Sequence, residues 1–286
     1  MKYGVIDIGS NSVRLMVSDG VKTQYKILKS TRLAEGLGED KTLKENSMER
    51  TSIAIKEFCD RAKEEKVDKL FVFATAAVRQ ARNKAEFLRL VKDCAGVDID
   101  IVSGEKEAKI GLFGALNGKD GGVIDIGGAS TEIAVISNSQ ITYAKSVNIG
   151  AVSLTDLCGQ DRFLAEKIVL EKLKEFSKEI KSDFYSIGGT ATTVGAINQE
   201  LEVYSADKID GYTLFIKDLE LLTDKLYSLT IEERKNLKGL QPERAKVIAN
   251  GCLILLEVMR YLNIDTIKIS DKDNLEGYLM DKLVLL

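Results

Sequence analysis

Two stretches of the chain carry the same alternation of apolar and polar positions: Val5–Val17 reads VIDIGSNSVRLMV and Val123–Val135 reads VIDIGGASTEIAV. In each, an apolar run ends in Asp, passes through a turn of small residues and continues as a second alternating run. That is the pattern of a β-hairpin with a small-residue turn. The copies lie 118 residues apart (Val5 to Val123), a domain-sized interval that predicts duplicated domains rather than a solenoid. Apolar residues spaced three and four apart predict helices over Lys44–Lys66, Ala76–Cys94, Ser103–Leu116, Arg162–Lys181, Thr190–Gln199, Glu243–Leu262 and Leu275–Leu285. Ser103 is the expected N-cap of the third. Short β-rich runs predict strands over Thr23–Leu33, Lys69–Ala74, Val97–Val102, Gln140–Asn148, Phe184–Ile187 and Thr266–Ile269. Each half therefore reads as a meander followed by alternating helix and strand, a mixed α/β sheet. The turn-rich segment Leu116–Gly121 places the boundary between domains 1–118 and 119–286, with the final helix, about 275–286, packing back on the first domain. The polar run Leu229–Lys238 reads as a solvated helix face or loop.

Composition narrows the chemistry. A length of 286 residues accommodates about two domains, and 44% hydrophobic with 30% charged residues describes a soluble globular chain with a sizeable core. The opening MKYGVIDIGS has no apolar run of signal-peptide length, and Cys252–Met259 is too short to span a bilayer and contains Glu257, so no membrane segment is expected. A net charge of −3 leaves no basic footprint for nucleic acid. Histidine is absent, which excludes a Ser-His-Asp triad, a His-ligated metal and a His general base. Acid–base work falls to Asp, Glu, Lys, Tyr or Cys. The four cysteines, Cys59, Cys94, Cys158 and Cys252, form no CxxC pair and read as reduced core thiols of a cytoplasmic protein.

Three segments place glycines and hydroxyls directly after an apolar strand: Gly9-Ser10-Asn11-Ser12, Gly127-Gly128-Ala129-Ser130 and Gly188-Gly189-Thr190. Glycine lets the backbone approach an anion, and free N–H groups in such turns form phosphate nests. The third opens a helix, whose N-terminal dipole adds to the attraction. Any one is an ordinary turn, but three together, two of them copies, point to phosphate. Ser10, Ser12, Ser130, Thr131 and Thr190 add hydroxyl donors.

Asp7 and Asp125 end the strands that lead into two of these turns. A carboxylate beside a phosphate nest is repelled unless a cation lies between, which favours Mg²⁺ or Mn²⁺ held by Asp125 and Asp7; an Asx turn is the simpler alternative. Glu105 and Glu107 open the helix that also carries Gly111 and Gly114, with Glu107, Gly111 and Gly114 on one face. Two glycines on one helix face predict a close crossing, for which the small residues Ala245, Ala249, Gly251 and Cys252 offer a partner. Glu107 would then face the cleft as a base for water, where otherwise it only complements the helix dipole. Arg79, just past a strand end, is placed either to grip a phosphate or to sit solvated at a helix start. Arg14 and Arg32 are weaker candidates, each assignable to an exposed strand face.

These residues resemble a known family. The tandem DIGS and DIGG hairpins and the IGGT turn are similar to the superfamily of acetate and sugar kinases, heat-shock-70 chaperones and actin. Within it, VIDIGSNSVRLMV, TRLAEGL, ATAAVRQARNKAEFL, SGEKEA, VIDIGGASTE and YSIGGTATTVGAI resemble the exopolyphosphatase / guanosine pentaphosphate phosphatase family over nearly the whole chain. The resemblance implies two ribonuclease H-like (actin-like ATPase) domains with a cleft between them. It implies Glu107 as catalytic base, Asp125 as catalytic and metal residue, Arg79 as a substrate-phosphate contact and, more weakly, a homodimer. Two departures stand out. Ala129 replaces the third glycine of the second hairpin, and Ser270–Gly277 lacks the glycine and arginine of the usual Gly-x-Arg-Glu-Gly stretch. The likeness is to short members without the C-terminal HD-type domain. The expected activity is Mg²⁺-dependent release of orthophosphate from inorganic polyphosphate or guanosine pentaphosphate. An ATP-dependent small-molecule kinase of the same fold and a non-catalytic polyphosphate or nucleotide sensor are the alternatives.

Overall fold

The computed structural model describes residues 1–38 and 40–283; the last two residues of the predicted final helix, 284–285, lie outside them. The first half comprises β1 (Tyr3–Ile8), β2 (Ser12–Ser18), β3 (Thr23–Ser30), α1 (Glu45–Glu64), β4 (Lys69–Ala74), α2 (Ala76–Gln80), α3 (Lys84–Ala95), β5 (Asp100–Ile101) and α4 (Gly104–Leu116). Its sheet has the order β3-β2-β1-β4-β5, antiparallel across the meander and parallel thereafter. The second half repeats the plan with β6 (Gly121–Ile126), β7 (Thr131–Ser137), β8 (Gln140–Val147), α5 (Ala151–Cys158), α6 (Arg162–Leu173), β9 (Phe184–Ile187), α7 (Gly188–Asn198), α8 (Ala206–Ile209), β10 (Thr213–Phe215), α9 (Ile216–Ser228), α10 (Ile231–Arg234), α11 (Ile248–Tyr261), β11 (Thr266–Ile269) and α12 (Asn274–Lys282). Read from its meander edge, the second sheet is β8-β7-β6-β9-β11-β10, the same order with one antiparallel strand added. Both are the ribonuclease H-like arrangement, and its doubling about a cleft is the actin-like ATPase fold. No helix among the described residues is long and apolar enough to cross a membrane.

Several elements depart from the periodicity, each for a tertiary reason. The helix expected over Ala76–Cys94 breaks between α2 and α3, because the Arg82 amide donates to Lys41 O and the Asn83 side chain pairs with both backbone groups of Leu43. The helix expected over Glu243–Leu262 starts late. Pro242 opens a 3₁₀ turn, Pro242–Arg244, and the carbonyl of Ala245 accepts from Arg234. Arg234 itself corrects the reading of Leu229–Lys238 as solvated: it is 1% exposed and donates to Leu226 O and Gln160 Oε1 as well. The run Arg162–Lys181 ends as a helix at Leu173, where Phe176 turns into the core and its carbonyl takes the Tyr261 hydroxyl. The strand expected over Val97–Val102 is only two residues long. All four cysteines are free.

The small-residue face of α4 finds a different partner from the one expected. It crosses α12, not α11: a Cβ at Gly277 would stand 1.7 Å from Ile110 O, and one at Gly114 would stand 2.0 Å from Asp273 O. Gly251 of α11 faces Thr190 and Ala151 instead. α12 also buries Leu275, Tyr278 and Leu279 against Val5, Met16 and Phe73 of the first sheet, so a helix from the end of the chain closes the first half. Backbone meets backbone at this crossing, so nothing there can yield. Gly277→Ala is expected to cost about 1–3 kcal/mol or more by overpacking. Chemical denaturation reads this, and an unchanged midpoint would mean the helices do not cross here.

Candidate active site

The two hairpin turns are built alike. Gly9 N donates to Ser12 O and Gly127 N to Ser130 O, each at 3.0 Å. Each turn is then pinned from outside through its carbonyls. Thr31, Arg32 and Ala34 amides hold Ser10 O and Asn11 O, whereas the first amides of α5, from Ala151, Val152 and Ser153, hold Gly127 O and Gly128 O. Pinning by the carbonyls leaves the turn amides of Ser10, Asn11, Gly128 and Ala129 without a protein acceptor among the described residues. The turns nearly touch across the cleft: a Cβ on Gly128 would stand 2.6 Å from Ser10 Cβ. α7 begins at Gly188, and the N–H groups of its first turn are free by the nature of a helix start. Only glycine fits there, since φ is +80° and a Cβ would meet Asp125 Oδ1 at 2.4 Å.

These three features line one cavity of about 1020 Å³, together with Asp7, Glu107, Asp125, Arg14, Asp273, Asn274 and Arg244. Gly9, Ser10, Asn11, Ser12, Gly127, Gly128, Ser130, Gly188, Gly189 and Thr190 all face it, as the sequence predicts. Ala129 and Arg79 do not line it. Two hydroxyls expected as ligand donors are committed elsewhere, Thr190 to Ile126 O at 2.9 Å and Thr131 to Ile149 O at 2.7 Å. Arg79 stands behind Glu107, donating to Glu107 Oε2 at 2.6 Å and to Val102 O at 3.0 Å. In this structure it orients the glutamate. Asn11 Nδ2 is a buried donor with no partner among the described residues, and it lines the cavity, as an anion-binding amide would.

The repeat explains the electrostatics. Asp7 pairs across the hairpin with Arg14, and Asp125 with Glu132, one repeat further on. Arg14 donates to Asp7 Oδ2 at 2.5 Å and also to Asp273, so it is half-buried and doubly paired rather than exposed. Asp125 has a carboxyl where Asp7 has a guanidinium. Burial, with Glu107 and Asp273 adding to it, pushes Asp125 up to about 8. Burial likewise raises Glu132, with Glu107 and Asp125 contributing. It raises Asp7 against the pull of Arg14, and Glu107 against the pull of Arg79. Asp273 goes the other way: Arg14 and Lys26 outweigh its burial and hold it below the usual range. Five buried carboxyls thus share two guanidiniums and the Lys26 ammonium, an excess of acidic groups that a divalent cation would relieve. Asp7 Oδ1 is buried and has no partner among the described residues, an oxygen such an ion would use. No three carboxylates among the described residues form a ready cage, which suits an ion that completes its shell with water and substrate phosphates.

Glu132, Arg244, Asp273 and Asn274 are absent from the sequence-derived site, and Arg14 is undervalued there. For Arg14 and Glu132 a signal existed: adding the repeat interval to 14 gives 132, and strand alternation puts each beside its hairpin's Asp. Arg244 had none beyond its place after Pro242. Its guanidinium lies over Gly189, where a Cβ would meet its nitrogens at 2.3 and 2.4 Å, and it pairs with no carboxylate among the described residues. Burial and nearby Arg14 lower it to about 10.

A sequence model described as the Ppx/GppA phosphatase family matches residues 13–285. A bifunctional 3-dehydroquinate synthase/phosphatase of Fusobacterium nucleatum is 33% identical over 96% of this chain and 46% of its own length. A guanosine-5'-triphosphate,3'-diphosphate pyrophosphatase of Photobacterium profundum is 28% identical over 98% of this chain and 59% of its own. The chain therefore spans about half the length of the curated relatives it matches. Among solved structures, an exopolyphosphatase-like protein superposes with a TM-score of 0.93 at 26% identity, covering 100% of both chains.

Proposed function

Because the chain belongs to the Ppx/GppA phosphatase family, we propose that it is a phosphoanhydride hydrolase. It would release orthophosphate from the end of inorganic polyphosphate or from guanosine pentaphosphate. The observation that carries this reading is the convergence of two glycine turns of like build, a helix N-terminus and a buried glutamate on one cavity. The similar proteins named for guanosine pentaphosphate and polyphosphate chemistry support the choice of substrates.

In this mechanism the turn amides, the start of α7 and Arg244 hold the non-bridging oxygens of the terminal phosphates. Arg79 ties one oxygen of Glu107 and leaves the other for a water molecule. Glu107 takes the proton of that water as its oxygen attacks phosphorus; the bridging P–O bond breaks in line, and the shortened chain departs. Its raised pKa makes Glu107 a better base than a solvated carboxylate. Asp125 and Asp7 would hold Mg²⁺ or Mn²⁺, whose charge offsets that of the substrate phosphates. Cytoplasmic residence and a homodimer belong to the same proposal, and the dimer is read by sedimentation.

The test is orthophosphate release from polyphosphate, guanosine pentaphosphate and ATP, side by side, with and without Mg²⁺. Release from neither of the first two removes the hydrolase reading, and transfer from ATP to an acceptor selects a kinase. In the same assay Arg244→Met should raise KM about tenfold to a hundredfold, the loss of one charge-assisted hydrogen bond at about 1.5–3 kcal/mol. An unchanged KM removes Arg244 from the substrate site.

A further inference from the structure

The two hairpin carboxylates are held by one short stretch of chain. At the head of α12, Asp273 accepts from Arg14, which in turn grips Asp7 Oδ2. The next residue, Asn274, donates from Nδ2 to Asp125 Oδ2 at 3.0 Å. Adjacent residues of one helix terminus thus fix Oδ2 of both aspartates. Asp7 Oδ1 is left unpartnered, and Asp125 Oδ1 lies over Gly188. The terminus has little freedom. Asp273 caps it by accepting from Leu275 N, and Glu276 answers through Asp273 N. The glycine crossing with α4 presses it into the cleft floor, with Asn274 Oδ1 at 2.8 Å from a Cβ position on Gly111.

Asn274 is a poor choice for stability. It is buried, and its Oδ1 has no partner among the described residues. An unsatisfied buried acceptor costs free energy that an apolar residue of similar size would not. What the amide does provide is a neutral donor aimed at Asp125. A cation there would compete with any metal, and an apolar group would leave the carboxylate unoriented.

We propose that Asn274 is a positioning residue. It orients Asp125 so that Oδ1 faces the cavity, and with Asp273 and Arg14 it makes the head of α12 the strut that spaces the carboxylates of the two halves. This rests on the reading that Asp125 and Asp7 hold a divalent cation. Partners of metal-binding groups typically matter ten- to a hundredfold in affinity.

The experiment is Mn²⁺ titration by calorimetry of wild type, Asn274→Leu, Asn274→Ser and Tyr278→Phe, with thermal melts of each metal-free protein. Asn274→Leu is expected to weaken Mn²⁺ binding ten- to a hundredfold without lowering the metal-free melting temperature. Asn274→Ser, too short to reach Asp125, should lose the same and serves if the leucine variant does not fold. Tyr278→Phe loosens the same helix one turn further on, where the hydroxyl bonds Asp100 at 2.7 Å, and should leave Mn²⁺ affinity unchanged. Mn²⁺ affinity preserved in both Asn274 variants overturns the positioning role and leaves the metal reading standing. An equal loss in Tyr278→Phe also overturns it, since helix stability would then be the cause. No Mn²⁺ binding by wild type, with or without orthophosphate present to complete the shell, overturns the metal reading and this inference together.

Discussion

Replacing Glu107 with Gln should cut turnover by about 10²–10⁴-fold, the usual worth of a positioned general base. The substitution keeps size and most hydrogen bonding, including the acceptor for Arg79, and removes only basicity. Affinity for substrate should hold or rise, because a negative charge is withdrawn from a cavity proposed to take a polyanion. Glu105→Gln is the control. Glu105 lies on the same helix but is exposed and paired with Lys109 at 2.6 Å, so its loss should leave turnover unchanged. Steady-state rates at saturating substrate decide it. If Glu107→Gln turns over like wild type, Glu107 leaves the mechanism and only complements the helix dipole.

Chelation should abolish turnover, and added Mg²⁺ or Mn²⁺ should restore it. Asp125→Asn should impair activity more than Asp7→Asn, since Asp7 is already neutralised by Arg14 whereas Asp125 has Glu132 across the hairpin. The same asymmetry sets a pH signature. In the metal-free protein Asp125 lies at about 8, while an unfolded aspartate ionises near about 3.9. The native state therefore binds more protons than the unfolded state across that window, and stability falls as pH rises through it. Asp7, Glu107 and Glu132 are shifted the same way and steepen the fall; Asp273 is shifted the other way. Below the unfolded value the penalty is absent, and above about pH 8 Asp125 adds nothing further to it. A divalent cation should stabilise increasingly as pH rises, and Asp125→Asn should flatten the slope. Melting temperatures from pH 5 to 9 with and without Mg²⁺ measure this. A stabilisation by Mg²⁺ that does not grow with pH would remove the metal from Asp125.

The hairpins, their turns and their carboxylates were legible in the sequence because all of their determinants are local. Alternation at period two fixes the strands, glycine fixes the turns, and duplication at a constant interval writes the pattern twice. Glu107 was legible for a similar reason, since Ser103 caps its helix as expected, Oγ accepting from Lys106 N at 3.2 Å, and two glycines mark its packed face. The partner of that face was not legible. Small residues occur on both α11 and α12, and only the path of the last strand brings Gly277 against Ile110. Arg79 could be assigned to phosphate or to solvent, but its partner, Glu107, lies 28 residues away and is reached only when the head of α4 is brought against the Arg79 side chain. Asn274 and Asp273 were invisible for the strongest form of this reason, lying 149 residues from Asp125 and 259 from Arg14. Local periodicity determined the two glycine turns and the acids beside them. Burial of charge and long-range pairing, which exist only once the halves are closed on each other, decided which acid is neutralised, which is raised and what holds them apart.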